Sequence, residues 1–191
     1  GLGGFASGTV GLERTRRYHA LLLAAEHSLT RRFVLVNGFE AQVSTHSGTF
    51  PLSSQRYVGD VVHPEGSRYL VDFRSEPWPI WIFRLDDETE VECEILCAHG
   101  APTTLVAWRL RRAVPSSATG GPPRVELEVR PLMSGRDLHA LHFENGAFQF
   151  SPEWAGNHAC WRPYPGVPAI HSVSNGVYEH GPTWYRRFLY A

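Results

Sequence analysis

The chain has 191 residues, of which 42% are apolar, 19% charged and 12% aromatic, a composition that supports one compact domain with its own core. Its 18 basic and 19 acidic side chains leave a formal net charge of -1, which excludes the strongly basic surface typical of proteins that bind nucleic acids or anionic membranes. Every basic residue is an arginine, so Schiff-base and phosphate-loop chemistry that requires lysine is also excluded.

The pattern of residues in the first half of the chain predicts a series of strands. Residues 18–25 predict one strand. Residues 33–36, the dipeptide Asn37-Gly38 and the alternating apolar residues that follow predict a β-hairpin, because Asn-Gly favours a tight type I′ turn. Further strands are predicted over residues 68–73 and 79–85.

The second half continues the alternation of polar and apolar residues. In residues 90–95 the apolar Val91, Cys93 and Ile95 alternate with glutamates, which predicts a strand with a buried face and a solvated acidic face. Residues 124–131 repeat the pattern, with Val125, Leu127 and Val129 predicted to point inward. The remaining candidate strands are residues 103–111, 138–144, 147–150, 176–180 and 183–190.

No segment shows the apolar spacing of an amphipathic helix. About a dozen short strands punctuated by Gly and Pro favour an all-β fold, a large antiparallel two-layer β-sandwich with little or no helix. Residues 1–191 are expected to form a single domain.

The three cysteines are predicted to be reduced, buried thiols. Cys93 and Cys97 are four residues apart on one strand, which separates their α-carbons by about 13 Å. A disulfide requires less than about 7 Å. Reduced thiols indicate a cytoplasmic protein.

The densest polar cluster is formed by Arg16, Arg17, Tyr18 and His19. Alternation along a strand would point at least two of these side chains toward the core, where a buried arginine needs a partner. The cluster therefore fits either a structural arginine paired with a carboxylate or an edge that binds hydroxyl or carboxylate groups.

No catalytic, metal or cofactor site is predicted. His139 and His142 lie three apart, on opposite faces of a strand, and no triplet has the spacing of a zinc site. Six tryptophans could stack on sugars or fill a core. Trp154 and Trp161, in a loop-like segment near Tyr164, are the expected exposed pair.

Several ordered blocks resemble the N-terminal domain of bacterial and archaeal glycogen debranching enzymes, the amylo-α-1,6-glucosidases. They are GLGGFASGT at 1–9, RTRRYH at 14–19, HPEG at 63–66, YLVDF at 69–73, HG at 99–100, VRPL at 129–132, RD at 136–137 with His139, EN at 144–145, and WY and FLY near the end. Departures from the pattern are Ala20 in place of Gly, Ala101-Pro102 in place of a polar pair, and Leu138 in place of Tyr.

The resemblance implies a sandwich of the supersandwich type that precedes an (α/α)6 barrel. In that family the barrel holds the general acid and base that hydrolyse α-1,6-glucosidic branch points, so this chain alone is expected to be inactive.

The leading hypothesis is a non-catalytic domain that docks on the barrel and helps to bind an α-glucan such as glycogen. Its interface or sugar-contact residues are expected to gather at one edge: Arg16, Arg17, Tyr18, His19, His63, Arg136, Asp137 and His139. The alternative is a stand-alone carbohydrate-binding module that grips α-glucan through Trp154, Trp161 and Tyr164. A third hypothesis gives the polar cluster a purely structural role.

Overall fold

The computed structural model describes residues 4–26, 31–115 and 122–190, and nearly all of its regular structure is antiparallel strand. The only helical element in these ranges is one 3₁₀ turn, Gly66–Tyr69. The strands are β1 (Phe5–Ser7), β2 (Ala20–Ala25), β3 (Arg32–Thr45), β4 (Gly48–Pro51), β5 (Ser54–Tyr57), β6 (Val61–Glu65), β7 (Leu70–Arg74), β8 (Ile80–Arg84), β9 (Glu90–Cys97), β10 (Thr104–Arg112), β11 (Glu126–Asp137), β12 (Glu153–Ala155), β13 (His158–Trp161) and β14 (Ile170–Val173).

Two larger sheets supply the layers of a sandwich. One has the order β1-β2-β3-β11, with β4 also paired to β3, and the other has the order β10-β9-β8-β7. Two smaller sheets, β12-β13-β14 and β5-β6, complete the fold. The all-β prediction is therefore confirmed.

The core lies where the inner faces of these sheets meet. Alternation places Phe39, Ala41 and Val43 of β3 in the same buried cluster as Val91 and Cys93 of β9. Phe39 contacts Trp108 of β10 edge to face, with ring centroids 5.6 Å apart. A second, smaller cluster lies on the other face of β3 and contains Ala20, Leu23, Val34 and Leu138.

The predicted hairpin at Asn37-Gly38 is wrong, because β3 runs unbroken through both residues. Neither residue has the positive φ that a type I′ turn requires. The register instead skips Asn37 opposite Leu132 and Met133, a β-bulge that leaves the Asn37 side chain and carbonyl free for other partners. Pairing of β3 with β2, β4 and β11 overrides the local turn preference.

The prediction that the apolar side chains of β11 point inward is confirmed for their direction but not for their burial. Leu127 and Val129 lie opposite Val43 and Ala41, whose side chains are buried in the core. Because β11 is an edge strand, Leu127 and Val129 nevertheless remain 37% and 39% exposed.

The acidic face of β9 is not solvated, contrary to expectation. The neighbouring strands cover it, and Glu94 is only 6% exposed. Trp78 Nε1 donates a hydrogen bond of 2.8 Å to Glu94, and Arg109 donates to both Glu94 and Glu92. Arginines on adjacent strands convert the row of glutamates into an ion-pair network.

Further predictions fail near the carboxyl end. Residues 138–144, 147–150 and 176–180 form no strand, and in residues 183–190 only Phe188 makes a β-bridge, to Tyr57. All three cysteines are unpaired as predicted, but Cys97 is exposed because it ends β9 near the sheet rim.

Candidate functional site

Two segments that are distant in sequence meet at one edge of the five-stranded sheet. The turn before β2 and the end of β11 both flank β3, and Leu138 N donates a hydrogen bond of 2.9 Å to the carbonyl of Arg32. The buried side chain of Leu138 fixes this crossing against Val34 and Leu23. We call the side chains displayed here the polar rim: Arg16, Arg17, Tyr18, His19, Arg136, Asp137 and His139.

Arg136 holds the two segments of the polar rim together. Its side chain is only 5% exposed. The guanidinium donates to the carbonyl oxygens of Ala140 at 2.9 Å and Leu138 at 3.3 Å, and also to that of Arg17. Burial and the charge of Arg17 lower the pKa of Arg136. The segment 138–140 therefore wraps around a guanidinium that is held by main-chain oxygens.

Tyr18 and His139 form the exposed part of the polar rim. Their rings meet edge to face with centroids 5.8 Å apart, and the Tyr18 hydroxyl lies 3.4 Å from Nδ1 of His139. Arg17 sits over the Tyr18 ring at 5.0 Å and donates to the His139 carbonyl at 3.4 Å. The carboxylate of Asp137 accepts a bond of 2.8 Å from the His139 amide, which sets the direction of this loop.

His19 follows Tyr18 in the chain and is partly buried. Its Nδ1 is buried and has no hydrogen-bond partner among the described residues. Burial first, and then the positive charges of Arg14 and Arg16, lower the pKa of His19. The neutral imidazole therefore presents one unused nitrogen beside a positively charged cluster.

Arg14 also contributes to this edge, which the sequence patterns did not predict. Its Nε donates 2.7 Å to the Asn37 carbonyl and Nη1 donates 3.1 Å to the carbonyl of Ser7. Burial lowers the pKa of Arg14 to about 10. A clue was present in Gly8 and Gly38, since a Cβ on Gly38 would come within 2.8 Å of Arg14 Nε.

The predicted cluster also included His63, which the contacts do not bring into the polar rim. His63 is exposed in β6, and no hydrogen bond or ring contact joins it to the polar rim among the described residues. The glycines at positions 1 and 3 of the first resembling block lie outside the described ranges.

The aromatic candidates separate into exposed and buried groups. Trp154 is 46% exposed and packs on Tyr178, with ring centroids 4.5 Å apart. Trp161 is only 6% exposed, which corrects the expectation of an exposed pair, because β13 points it into the main core. Tyr164 is partly buried, and its hydroxyl lies 2.6 Å from Nε2 of His142.

The polar rim offers guanidinium and imidazole donors and positive charge on a shallow edge. In the described ranges, no three His, Cys, Asp or Glu side chains are grouped to hold a metal ion. Nor does any described helix have the length and apolar character to span a membrane.

Comparison with known proteins agrees with the motifs. The family model described as "Glycogen debranching enzyme N terminal" matches residues 1–191. Searches of curated proteins and of solved structures returned no match. Because the family model covers the whole length, this chain belongs to the glycogen debranching enzyme N-terminal family.

Proposed function

We propose that this domain is a non-catalytic part of an α-1,6-glucosidase and docks on the catalytic (α/α)6 domain of the same enzyme through the polar rim. Family membership supports the parent enzyme class. In this proposal the catalytic domain supplies the acid and base, and this domain acts in the cytoplasm to shape the entrance for an α-glucan.

One observation carries the proposal: Arg17 and Tyr18 converge with His139 on one exposed edge. Packing of the core does not require these three side chains, since none of them belongs to either buried cluster. Arg and Tyr are enriched in protein interfaces, where their flat groups combine apolar contact with hydrogen bonding.

Scanning calorimetry of the complete enzyme tests docking. Domains that share a large interface unfold in one transition, whereas weakened docking separates the transitions. We expect Arg17→Glu to produce two transitions and the control Arg124→Glu, on a side chain 90% exposed, to leave one. A single unchanged transition for Arg17→Glu would contradict docking through the polar rim.

Direct glucan binding is the second candidate function, and the exposed Trp154 with Tyr178 favours it. An exposed indole can stack on the apolar face of a glucose ring. The Tyr178 hydroxyl, which lies 2.8 Å from Nδ1 of His180, can still accept a hydrogen bond from a sugar hydroxyl. Tyr164 does not contribute to this pair, since its contacts are with His142, Asn145 and Phe148.

Calorimetric titration of the chain with maltohexaose tests this second function. Saturable heat that disappears in Trp154→Ala and persists in Val177→Ala, at another exposed apolar position, would support it. Absence of heat at millimolar sugar would exclude direct binding through Trp154.

A further inference from the structure

The arginines of the polar rim and the neighbouring Arg14 differ from most arginines elsewhere in the described chain. Arg84 pairs with Glu90 at 3.0 Å, Arg130 with Glu128 at 3.2 Å, and Arg162 with Glu153 at 2.6 Å. In the described ranges no carboxylate lies within ion-pair distance of the arginines at positions 14, 16, 17 and 136.

Main-chain oxygens accept hydrogen bonds from the two less exposed arginines, Arg14 and Arg136, but do not neutralise their positive charge. Arg14 donates to the carbonyl oxygens of Asn37 and Ser7. Arg136 donates to the carbonyl oxygen of Ala140 and to the side-chain oxygen of Asn37. Asp137 is the acidic member of the polar rim, and its carboxylate is engaged by the His139 amide. The three guanidiniums of the polar rim therefore stand against one carboxylate in a chain whose overall charge is -1.

The outer arginines leave donors available to a partner. Arg16 and Arg17 are exposed, and the hydrogen bond of Arg17 to the His139 carbonyl uses one of its five N–H groups. A positive, donor-rich edge of this kind matches planar carboxylates, which accept two parallel N–H bonds from one guanidinium.

We propose that the polar rim binds an acidic protein surface, with Asp or Glu carboxylates meeting Arg16 and Arg17. This inference rests on the proposed docking function and specifies the chemistry of the surface that is docked. A neutral glucan offers hydroxyls alone, which satisfy donors but leave the excess positive charge of the polar rim unopposed. Charge complementarity therefore favours a protein partner over sugar at this edge.

Titration of the chain with a hexaglutamate peptide, followed by NMR of backbone amides and arginine Nε–H groups, tests the inference. We expect shifts concentrated at residues 16–19 and 137–140, with affinity that falls as salt is added. Arg16→Gln combined with Arg17→Gln should weaken binding by between about twofold and about thirtyfold, because two exposed ion pairs are lost.

Arg74→Gln combined with Arg124→Gln is the matched control, because it removes the same charge from exposed positions outside the polar rim. Equal loss in both double variants would show nonspecific attraction and overturn the inference. Saturable binding of inorganic phosphate without binding of hexaglutamate would overturn it in favour of a phosphate site, and shifts from maltohexaose alone would overturn it in favour of sugar.

Failure of this inference and failure of the docking proposal give different results. If hexaglutamate does not bind but Arg17→Glu still separates the calorimetric transitions of the complete enzyme, docking stands and its acidic character is wrong. If hexaglutamate binds and the transitions stay merged, the polar rim binds carboxylates but does not dock the catalytic domain.

Discussion

The guanidinium of Arg136 donates a hydrogen bond to the carbonyl oxygen of Arg17 and so joins segments separated by 119 positions. The same side chain binds the carbonyls of Leu138 and Ala140, so one buried arginine organises both sides of the polar rim. Where water is excluded, these carbonyl oxygens have few alternative hydrogen-bond donors, so the local fold depends on Arg136.

Removal of this side chain should destabilise the domain strongly. Arg136→Leu removes the donor to the buried Leu138 carbonyl and to the partly buried carbonyls of Ala140 and Arg17, so we expect the free energy of unfolding to fall by about 3 kcal/mol. Urea denaturation followed by tryptophan fluorescence measures the change. Arg124→Leu, at a highly exposed position, should change it by less than about 0.5 kcal/mol. Equal effects of the two substitutions would contradict the organising role of Arg136.

Close packing at Gly66 gives a second prediction. A Cβ there would lie 2.4 Å from Ser53 N and 2.6 Å from the Leu52 carbonyl carbon, so the backbone would have to move. Gly66→Ala should therefore cost about 2–3 kcal/mol in urea denaturation. Gly146→Ala, where no atom lies within 4 Å of the added carbon, is the control and should be nearly neutral. A neutral Gly66→Ala would show that this turn is not packed as described.

His142 should make stability depend on pH. Burial, followed by the charge of Arg136, lowers the pKa of His142 below the ordinary value of 6.5. As the pH falls, His142 is therefore protonated in the unfolded chain before it is protonated in the folded chain. The stability present above pH 6.5 is lost as the pH falls toward the lower pKa of His142 in the folded chain.

Urea midpoints at pH 7.5 and pH 5.5 measure this dependence. The two values lie about one pH unit above and below the ordinary histidine pKa, which is enough to change its protonation. We expect His142→Gln to show a smaller drop between the two pH values than the unsubstituted chain. His99→Gln, at an exposed position, should leave the drop unchanged. A drop that is insensitive to His142→Gln would assign the pH dependence to other groups.

Thiol reactivity should distinguish Cys97 from the other cysteines. Cys97 is exposed, whereas Cys93 and Cys160 are buried and burial raises the pKa of the Cys93 thiol. A thiol reagent such as DTNB should therefore modify one cysteine rapidly in the native chain and all three after unfolding. Cys97→Ser should abolish the rapid phase. Persistence of that phase would contradict the burial of Cys93 or Cys160.

Much of the fold was predictable because strand periodicity reports which face a side chain occupies. The alternation in residues 90–95 correctly predicted that Val91, Cys93 and Ile95 are buried. Periodicity does not report what covers the opposite face, so the ion pairs of Glu94 with Arg109 and its bond to Trp78 were not foreseen. Likewise, the local preference of Asn37-Gly38 for a turn carried no information about three partner strands.

The candidate site was predictable only in part. Ordered blocks suggested that the segment 16–19 and the segment 136–139 belong together, and the contacts place them together. The role of Arg14 depends on a bulge in β3 that no short pattern predicts. The burial of Trp161 depends on which face of β13 meets the core, and a strand of four residues is too short to show this.

Hydrogen exchange of the backbone amides in the polar rim is the sharpest test of whether the catalytic domain docks there. We expect amides of residues 16–19 and 137–140 to exchange more slowly in the complete enzyme than in this chain alone, because the catalytic domain covers them. Amides of β12, the strand that contains Trp154, should exchange alike in both. Equal exchange of the polar rim in both proteins, or protection confined to β12, would contradict docking at this edge.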